Sequence, residues 1–288
     1  MIFNKKRNFM EPNRFVDLHI HSCYSDGTLT PQEILSAAQR SGVGVLAISD
    51  HDTIDGSLVL RDLCRDSGIA FIPAVEINGL EGSTNFHVLA YGFQFDHPEF
   101  RRFLQHVHAA QDRFNQMLLE VLQQEYASIS LEEYREYTYD RSLGGWKTLH
   151  YLIGKGIASS LQEGAALYSK YNITFDRSGY PSIRSICEQI HAAGGYAVLA
   201  HPGRLIDASD ISAFSAELER LIAFGLDGVE CYYPTHSPSV TQACLDVCRS
   251  RDLLITTGSD CHGDFGRTKV GQLQIPLQKV KLNDLINR

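Results

Sequence analysis

Short apolar runs, most of them handing over to a histidine or a carboxylate, recur along this chain and restrict its fold more than any other feature. They are Phe15–Ile20, Val43–Ser49, Ile69–Val75, Phe86–Gly92, Tyr196–Ala200, Gly228–Tyr233 and Leu253–Thr257. Runs of this length and β-branched content, set between amphipathic stretches, read as strands buried on both faces of a parallel sheet. The stretches between them read as helices. Thr30-Pro31-Gln32-Glu33 supplies an N-cap, a proline at the first helical position and a glutamate at the third, and Ser41-Gly42 ends the helix. A second helix follows Asp55-Gly56 and runs to about Ser67-Gly68. Others cover Ser182–Ala193, stopped by Gly194-Gly195, then Phe214–Phe224 and Ser239–Arg249. Strand alternating with helix is the rhythm of a βα-repeating α/β fold.

The rhythm breaks once. From Pro98 to Gly179 only helical patterns appear, at Phe100–Tyr126, Leu131–Tyr137, Trp146–Gly156 and Ser160–Tyr171. This predicts an inserted helical subdomain over 98–179 that overhangs whatever site the strands build. A closing edge segment and short helix are expected from Val270 onward.

Polar residues stand where the strands run out. His19 and His21 are two apart on a strand and so share a face. That pair alone fits one packed and one solvated imidazole equally well. The rest of the chain decides otherwise: His51, Glu76, His201, Asp260 and His262 each follow an apolar run, His87 lies on one, and Asp26 lies in the loop after the first. In βα folds the loops after the strands converge, and chemistry gathers there. Six imidazoles and three carboxylates, without thiolate, suit Zn²⁺, Mn²⁺ or Fe²⁺. Nine donors exceed the needs of one ion and match two or three. Such ions, roughly 3.5–4 Å apart, share a hydroxide nucleophile and clamp a phosphoryl group, so no Ser or Cys nucleophile is required.

Composition excludes some alternatives. A net charge of −8 opposes a general affinity for long nucleic acid. It leaves room for a small anionic substrate, because clustered cations can make one pocket positive. No apolar run approaches a membrane span. Met1–Met10 carries charge but no apolar region, and reads as a frayed leader rather than a secretory signal. Seven cysteines with no Cys-x-x-Cys pair read as reduced thiols in a cytoplasmic protein.

Taken together, His19-x-His21, Ser22-x-Tyr24-Ser25-Asp26-Gly27, Ser49-Asp50-His51-Asp52, Glu76, His201-Pro202-Gly203 and Ser259-Asp260-x-His262-Gly263 resemble the PHP (polymerase and histidinol phosphatase) family of metal-dependent phosphoesterases. The resemblance implies a distorted, TIM-like, seven-stranded (β/α) barrel over 14–97 and 180–288, with 98–179 as a substrate cap. It implies one ion on His19, His21, Glu76 and Asp260, a second on Glu76, His87 and His201, and a third on Asp26, His51 and His262. The implied activity is attack of a metal-bound hydroxide on a phosphomonoester of a small metabolite, a nucleotide such as AMP or a nucleoside 3′,5′-bisphosphate. A phosphodiesterase or 5′-3′ exonuclease acting on short oligonucleotides is the alternative. A histidinol-phosphate phosphatase and a non-catalytic metal module stand further back.

Helper residues follow from position. Arg204 is expected to clamp phosphate, since guanidinium matches its oxygens bidentately. His236, in the loop after the sixth run, is expected to orient phosphate or protonate the leaving oxygen. Asp50 and Asp52 are expected behind the imidazoles, in competition with a helix N-cap role. Cys23 and Cys261 are expected to face away and pack. Tyr126–Tyr139 and Trp146 offer rings for stacking or packing. The segment Gly144–His150 departs from the Arg-Pro-His type segment of related nucleotide-active proteins, and Arg141 or Lys147 could replace a lost phosphate contact.

Overall fold

The computed structural model describes residues 14–287, so the proposed leader lies outside the described residues. Strands β1 (Phe15–Asp17), β2 (Val43–Leu46) and β3 (Ala70–Phe71) form a parallel sheet in that order. A second sheet runs β4 (Ala74–Glu81), β5 (Thr84–Tyr91), β6 (Tyr196–Leu199), β7 (Gly228–Tyr232) and β8 (Leu254–Thr257). Helices α1 (Pro31–Arg40), α2 (Asp55–Cys64), α7 (Ile183–Ala192), α8 (Ile211–Ile222) and α9 (Pro238–Ser250) alternate with the strands. The α1 capping box forms as its sequence dictates: Glu33 N donates to Thr30 Oγ1, and the Glu33 carboxylate accepts from Thr30 N.

The sheets meet through backbone hydrogen bonds at two seams. Beyond β1, Leu18 N donates to Thr257 O (3.1 Å) and His21 N to Cys261 O (2.9 Å). Beyond β2, Asp52 N donates to Glu76 O (2.9 Å) and Glu76 N to Ser49 O (3.2 Å). Both sheets fill one interior, where Val16, Leu18, Val45, Ile72, Leu89, Tyr91, Val198 and Leu254 pack together. Each such fully buried aliphatic chain contributes about 1.5–3 kcal/mol. Tyr91 spans this interior and donates its hydroxyl to Leu18 O.

Two expectations about the strands need correction. The run Ile69–Val75 is not one strand ending at Glu76. Pro73, which has no N–H for the ladder, divides it into β3 and β4, and Glu76 lies within β4. Nor do the strands alternate with helices throughout. Glu81 pairs with Thr84 across Gly82-Ser83, and this two-residue turn, with Gly82 at φ +62°, folds β5 back antiparallel to β4. β5 is antiparallel to β6 as well. Among the described residues there are thus eight strands in sheets of three and five.

Residues 98–179 are helical: α3 (Pro98–Glu125), α4 (Leu131–Glu136), α5 (Lys147–Gly154) and α6 (Leu161–Lys170). His97 caps α3 through Nδ1. Apolar residues three and four apart make α3 a strut shared by two cores. Phe100, Leu104, Val107 and Ala110 pack into the main one. Leu118, Leu119 and Leu122 pack with Ile129, Tyr134, Tyr151, Leu152 and Leu167 in a small separate one. Between α4 and α5, Gly144 and Gly145 both adopt positive φ, and a Cβ on Gly144 would stand 2.7 Å from Phe265 Cβ. Gly145 N donates to Asp26 O (2.7 Å), so the helical segment is fastened to the loop after β1. Among the described residues, no helix is long and apolar enough to cross a membrane.

Candidate metal centre

The nine residues singled out from the sequence come together. His19 and His21 leave β1 with their Nε2 atoms 3.2 Å apart. Glu76, from β4, is their hub: one carboxylate oxygen lies 3.3 Å from His19 Nε2, 2.9 Å from His87 Nδ1 and 3.1 Å from His201 Nε2. Its other oxygen lies 3.2 Å from His21 Nε2 and 3.3 Å from His51 Nδ1. Asp260, beyond β8, approaches His21 Nε2 at 3.2 Å and His19 Nε2 at 3.5 Å. Asp26 stands 3.5 Å from His21 Nδ1 and 3.3 Å from His262 Nε2.

Donor atoms cluster tightly enough for an ion in four sets: His21/Asp26/His51/His262, His19/His21/Glu76, His19/His201/Asp260 and His51/Glu76/His87. These sets overlap: His51 joins both the Asp26 and the Glu76 groups, and His201, which joins the Asp260 group, also lies 3.1 Å from the Glu76 oxygen nearest His87. His87 reaches the cluster from the antiparallel β5.

Backbone strain marks the site. Asp52, His201 and Asp260 hold φ of 54°, 29° and 49°, values that L side chains avoid and that persist where surroundings impose them. Gly258 permits the close seam beside His19, whose Cβ would lie 2.1 Å from any Cβ added there.

The electrostatics call for cations. Burial works to raise the Glu76 carboxyl, yet His19, His87 and His51 hold it well below the usual range. Burial likewise opposes the charge on Asp260, which His19 and His21 lower. Burial depresses His51 to about 3 and His201 to about 4, leaving both rings neutral with free lone pairs. Burial also opposes protonation of His21, but the Asp260 and Glu76 carboxylates raise it to about 10. Buried Nδ1 atoms of His21, His51 and His201 have no hydrogen-bond partner among the described residues. Orphaned imidazole nitrogens around buried carboxylates fit divalent ions, whose charge would take the place of those protons.

Glu230, in the middle of β7, is a residue that sequence reading did not place at the site. It is fully buried, accepts from His19 Nδ1 through Oε1 (3.0 Å) and from His201 N through Oε2 (2.8 Å). It fixes the His19 proton on Nδ1 and turns the Nε2 lone pair inward. A lone carboxylate inside an apolar strand was the available signal. Tyr233 was missed too; its hydroxyl donates to Asp260 Oδ2 (2.7 Å).

The helpers divide. Arg204 Nη1 donates to Asp260 Oδ2 and Tyr233 Oη (both 3.2 Å) while half its side chain stays exposed, so it stands at the rim. His236 is a correction. Its Nδ1 donates to Cys231 O and its Nε2 accepts from Gly203 N, both at 3.1 Å. Neither nitrogen is left to protonate a leaving group; the ring holds the turn that carries Arg204. Among the described residues, Asp50 and Asp52 touch no imidazole by hydrogen bond and cap no helix. Asp50 accepts from Ser22 N, Ser22 Oγ and Ser25 Oγ, and Asp52 from Asn78 N and Nδ2. They order the loops that carry the ligands. Cys261 is buried in the core around Ile20.

In the helical segment, Lys147 points away, to Arg135 O and the Tyr134 ring. Arg141 donates to Ser25 O (3.0 Å). Trp146 reaches the site, its ring 5.4 Å from that of His51.

Comparison with known proteins agrees with this geometry. The model of the PHP domain matches residues 17–222. The chain is 28% identical to phosphoribosyl 1,2-cyclic phosphate 1,2-diphosphodiesterase of Eggerthella lenta, over 90% of this chain and 98% of that one. It is 30% identical to the 5′-3′ exoribonuclease Rnm of Escherichia coli (85% and 84%), and 27% to the 3′,5′-nucleoside bisphosphate phosphatase of Chromobacterium violaceum (88% and 89%). A solved structure from Bifidobacterium adolescentis, described as a metal-dependent phosphoesterase, shares its fold with a TM-score of 0.73 and 24% identity over 93% and 94% of the two chains. The chain belongs to the PHP family and is a metal-dependent phosphoesterase, a hydrolase.

Proposed function

We propose that this enzyme hydrolyses a phosphomonoester of a small phosphorylated metabolite of nucleotide type, AMP or a nucleoside 3′,5′-bisphosphate. The observation that carries the reading is the half-exposed Arg204 at the rim, held by Asp260, which itself joins the donor cluster. A guanidinium fixed beside the donors can take two phosphoryl oxygens and hold the ester in one orientation. Glu230 keeps the His19 and His201 donors aimed, and His236 keeps the Arg204 turn closed.

Two or three divalent ions, Mn²⁺, Zn²⁺ or Fe²⁺, fit the four overlapping donor sets. Such ions supply Lewis acidity toward phosphoryl oxygens and a nucleophilic water at neutral pH. We read the two bridged sheets as one distorted barrel, and residues 98–179 as its substrate cap. Unbridged cysteines throughout support a cytoplasmic setting, and the acidic surface supports a short substrate over long nucleic acid.

The second reading, cleavage of a diester or of short oligonucleotides from the 5′ end, is favoured by the names of the Rnm and cyclic-phosphate relatives. Release of inorganic phosphate from AMP, a nucleoside 3′,5′-bisphosphate and histidinol phosphate, against release of mononucleotides from a short RNA, separates the two with Mn²⁺-loaded protein. Phosphate from the nucleotides alone is the expected result. Turnover of the RNA alone would replace the first reading by the second, and silence on every ester would overturn both.

A further inference from the structure

A cavity of about 230 Å³ opens beside His51 and His87, between the donor cluster and the helical segment. Its walls are of two kinds. Trp146, Phe114, Tyr168 and Phe175 supply rings, while Asn78, Asn85, Gln111 and Asn115 supply carboxamides. The rings are stacked in advance: Phe114 lies 5.1 Å from Tyr168 at 16° and 4.5 Å from Phe175 at 17°.

Two of the carboxamides, Asn115 and Asn85, are held with an open valence. Asn115 is 6% exposed, and its Oδ1 accepts from Tyr168 Oη (2.6 Å) and from Gln111 Nε2 (3.5 Å). Those contacts fix the amide plane, and its Nδ2 makes no hydrogen bond among the described residues. Across the cavity, Asn85 Nδ2 donates to Asn78 Oδ1 (2.9 Å) and lies 3.3 Å from His87 Nε2, while Asn85 Oδ1 is buried without a partner among the described residues. An acceptor buried without a partner, on the same cavity as a fixed amide donor, is completed by what the cavity receives, a ligand or water.

We infer that this cavity receives the nucleobase of the substrate, stacked against Trp146 and read by the Asn115 amide donor and the Asn85 carbonyl acceptor. The volume is below the roughly 300–1,000 Å³ of pockets for drug-sized ligands, which suits one ring system rather than a dinucleotide. A planar base offers π-faces for the rings and an edge of amide-like donors and acceptors for the carboxamides, whereas a sugar phosphate offers neither face. A lipid or alkyl ester would leave the open carboxamide valences unpaired. The contact between Trp146 and His51 sets the cavity directly beside the donors, so a base seated here keeps its ester within reach of them. The inference rests on the nucleotide reading of the same centre and makes it specific to the base.

Trp146 is the single tryptophan of the chain, which gives a binding signal independent of turnover. The test is titration of the metal-loaded full-length protein with adenosine and with cytidine, following tryptophan fluorescence, with ribose as the base-free control. Saturable quenching by at least one nucleoside and none by ribose is expected, with affinity weakened about tenfold by Asn115→Leu. Tyr168→Phe, which frees the Asn115 amide without emptying the core, should weaken it severalfold and serves if the first variant does not fold. In parallel, kcat/KM for AMP should exceed that for ribose 5-phosphate at least tenfold, with the preference falling in both variants. No quenching by either nucleoside, or quenching unaltered in both variants, would overturn the inference. Hydrolysis of both esters at equal rates with no quenching would overturn it and leave the phosphatase standing. Quenching without hydrolysis of any ester would leave the cavity assigned and remove the phosphatase.

Discussion

Replacing Glu230 by glutamine tests whether the donor cluster is held from behind. The carboxylate accepts two buried hydrogen bonds, from His19 Nδ1 (3.0 Å) and from His201 N (2.8 Å). A carboxamide has one acceptor oxygen and one donor nitrogen, so it can satisfy only one of these as they stand. The backbone N–H of His201 cannot change its proton; the imidazole of His19 can. The expected result is that the amide oxygen keeps His201 while the amide NH₂ donates to His19 Nδ1. That forces the His19 proton onto Nε2, the atom facing His21 and Glu76. The ligand lone pair is then lost.

Loss of such a carboxylate behind a ligand histidine costs about 10–100-fold in metal affinity or activity, or about 1.4–2.7 kcal/mol at 1.36 kcal/mol per decade. Glu230→Ala should cost more stability, because two buried donors are left unpaired at about 1–3 kcal/mol each. The assay is metal content after dialysis against a buffered Mn²⁺ series, with kcat/KM on AMP measured on the same samples. If Glu230→Gln retained wild-type metal affinity and turnover within twofold, the tautomer argument would be wrong and Glu230 would be a packing residue.

Chelation should destabilise the protein as well as silence it. An ion present at a hundred times its Kd contributes about 2.7 kcal/mol, so at about 2–4 °C per kcal/mol EDTA should lower Tm by roughly 5–10 °C; an unchanged melting curve would count against metal on the orphaned imidazoles. Arg204→Lys should cut kcat/KM roughly 100-fold with metal content unchanged, because an ammonium cannot take two phosphoryl oxygens in one plane; full activity would remove the clamp. Thr30→Ala should cost about 1 kcal/mol through the α1 cap. The backbone N–H and hydroxyl of Thr30 hold the Glu33 carboxyl below its usual value. A depressed carboxyl adds stability that is present above the ordinary glutamate pKa and lost as pH falls through the lowered one. The gap between wild type and Thr30→Ala, read by urea titration, should therefore narrow on acidification, and a gap that widened would refute the box.

The ligands were legible because they sit where apolar runs end, a position that independent core or surface histidines do not repeatedly choose. His19, His51, His201 and Asp260 all carry that mark. Glu230 does not, since it lies within its strand, and only the path of β7 past His19 and His201 gives it work. His236 carried a misleading mark. Its loop position suggested an open ring, but its partners are a carbonyl and an amide supplied by chain turns that local patterns do not reveal. The β4–β5 hairpin was legible in principle from Gly82-Ser83 between apolar runs. It was masked because Glu76 and His87 each looked like the product of a separate parallel strand.

The helical segment shows why a donor set does not by itself define a substrate. Its helices follow from periodicity, but its attachment depends on Gly144 and Gly145 fitting against Asp26 O, Thr28 and Phe265. Arg141 makes a further bond to Ser25 O on the same loop. The loop therefore has two constraints: Asp26 must keep its distance to His21 and His262, and its carbonyl must receive the cap. Side chains of the helical segment that line the cavity, Trp146 and Asn115 among them, carry neither constraint. They can change while every donor of this chain stays where it is, so the cavity and the donor set are independent features of the fold.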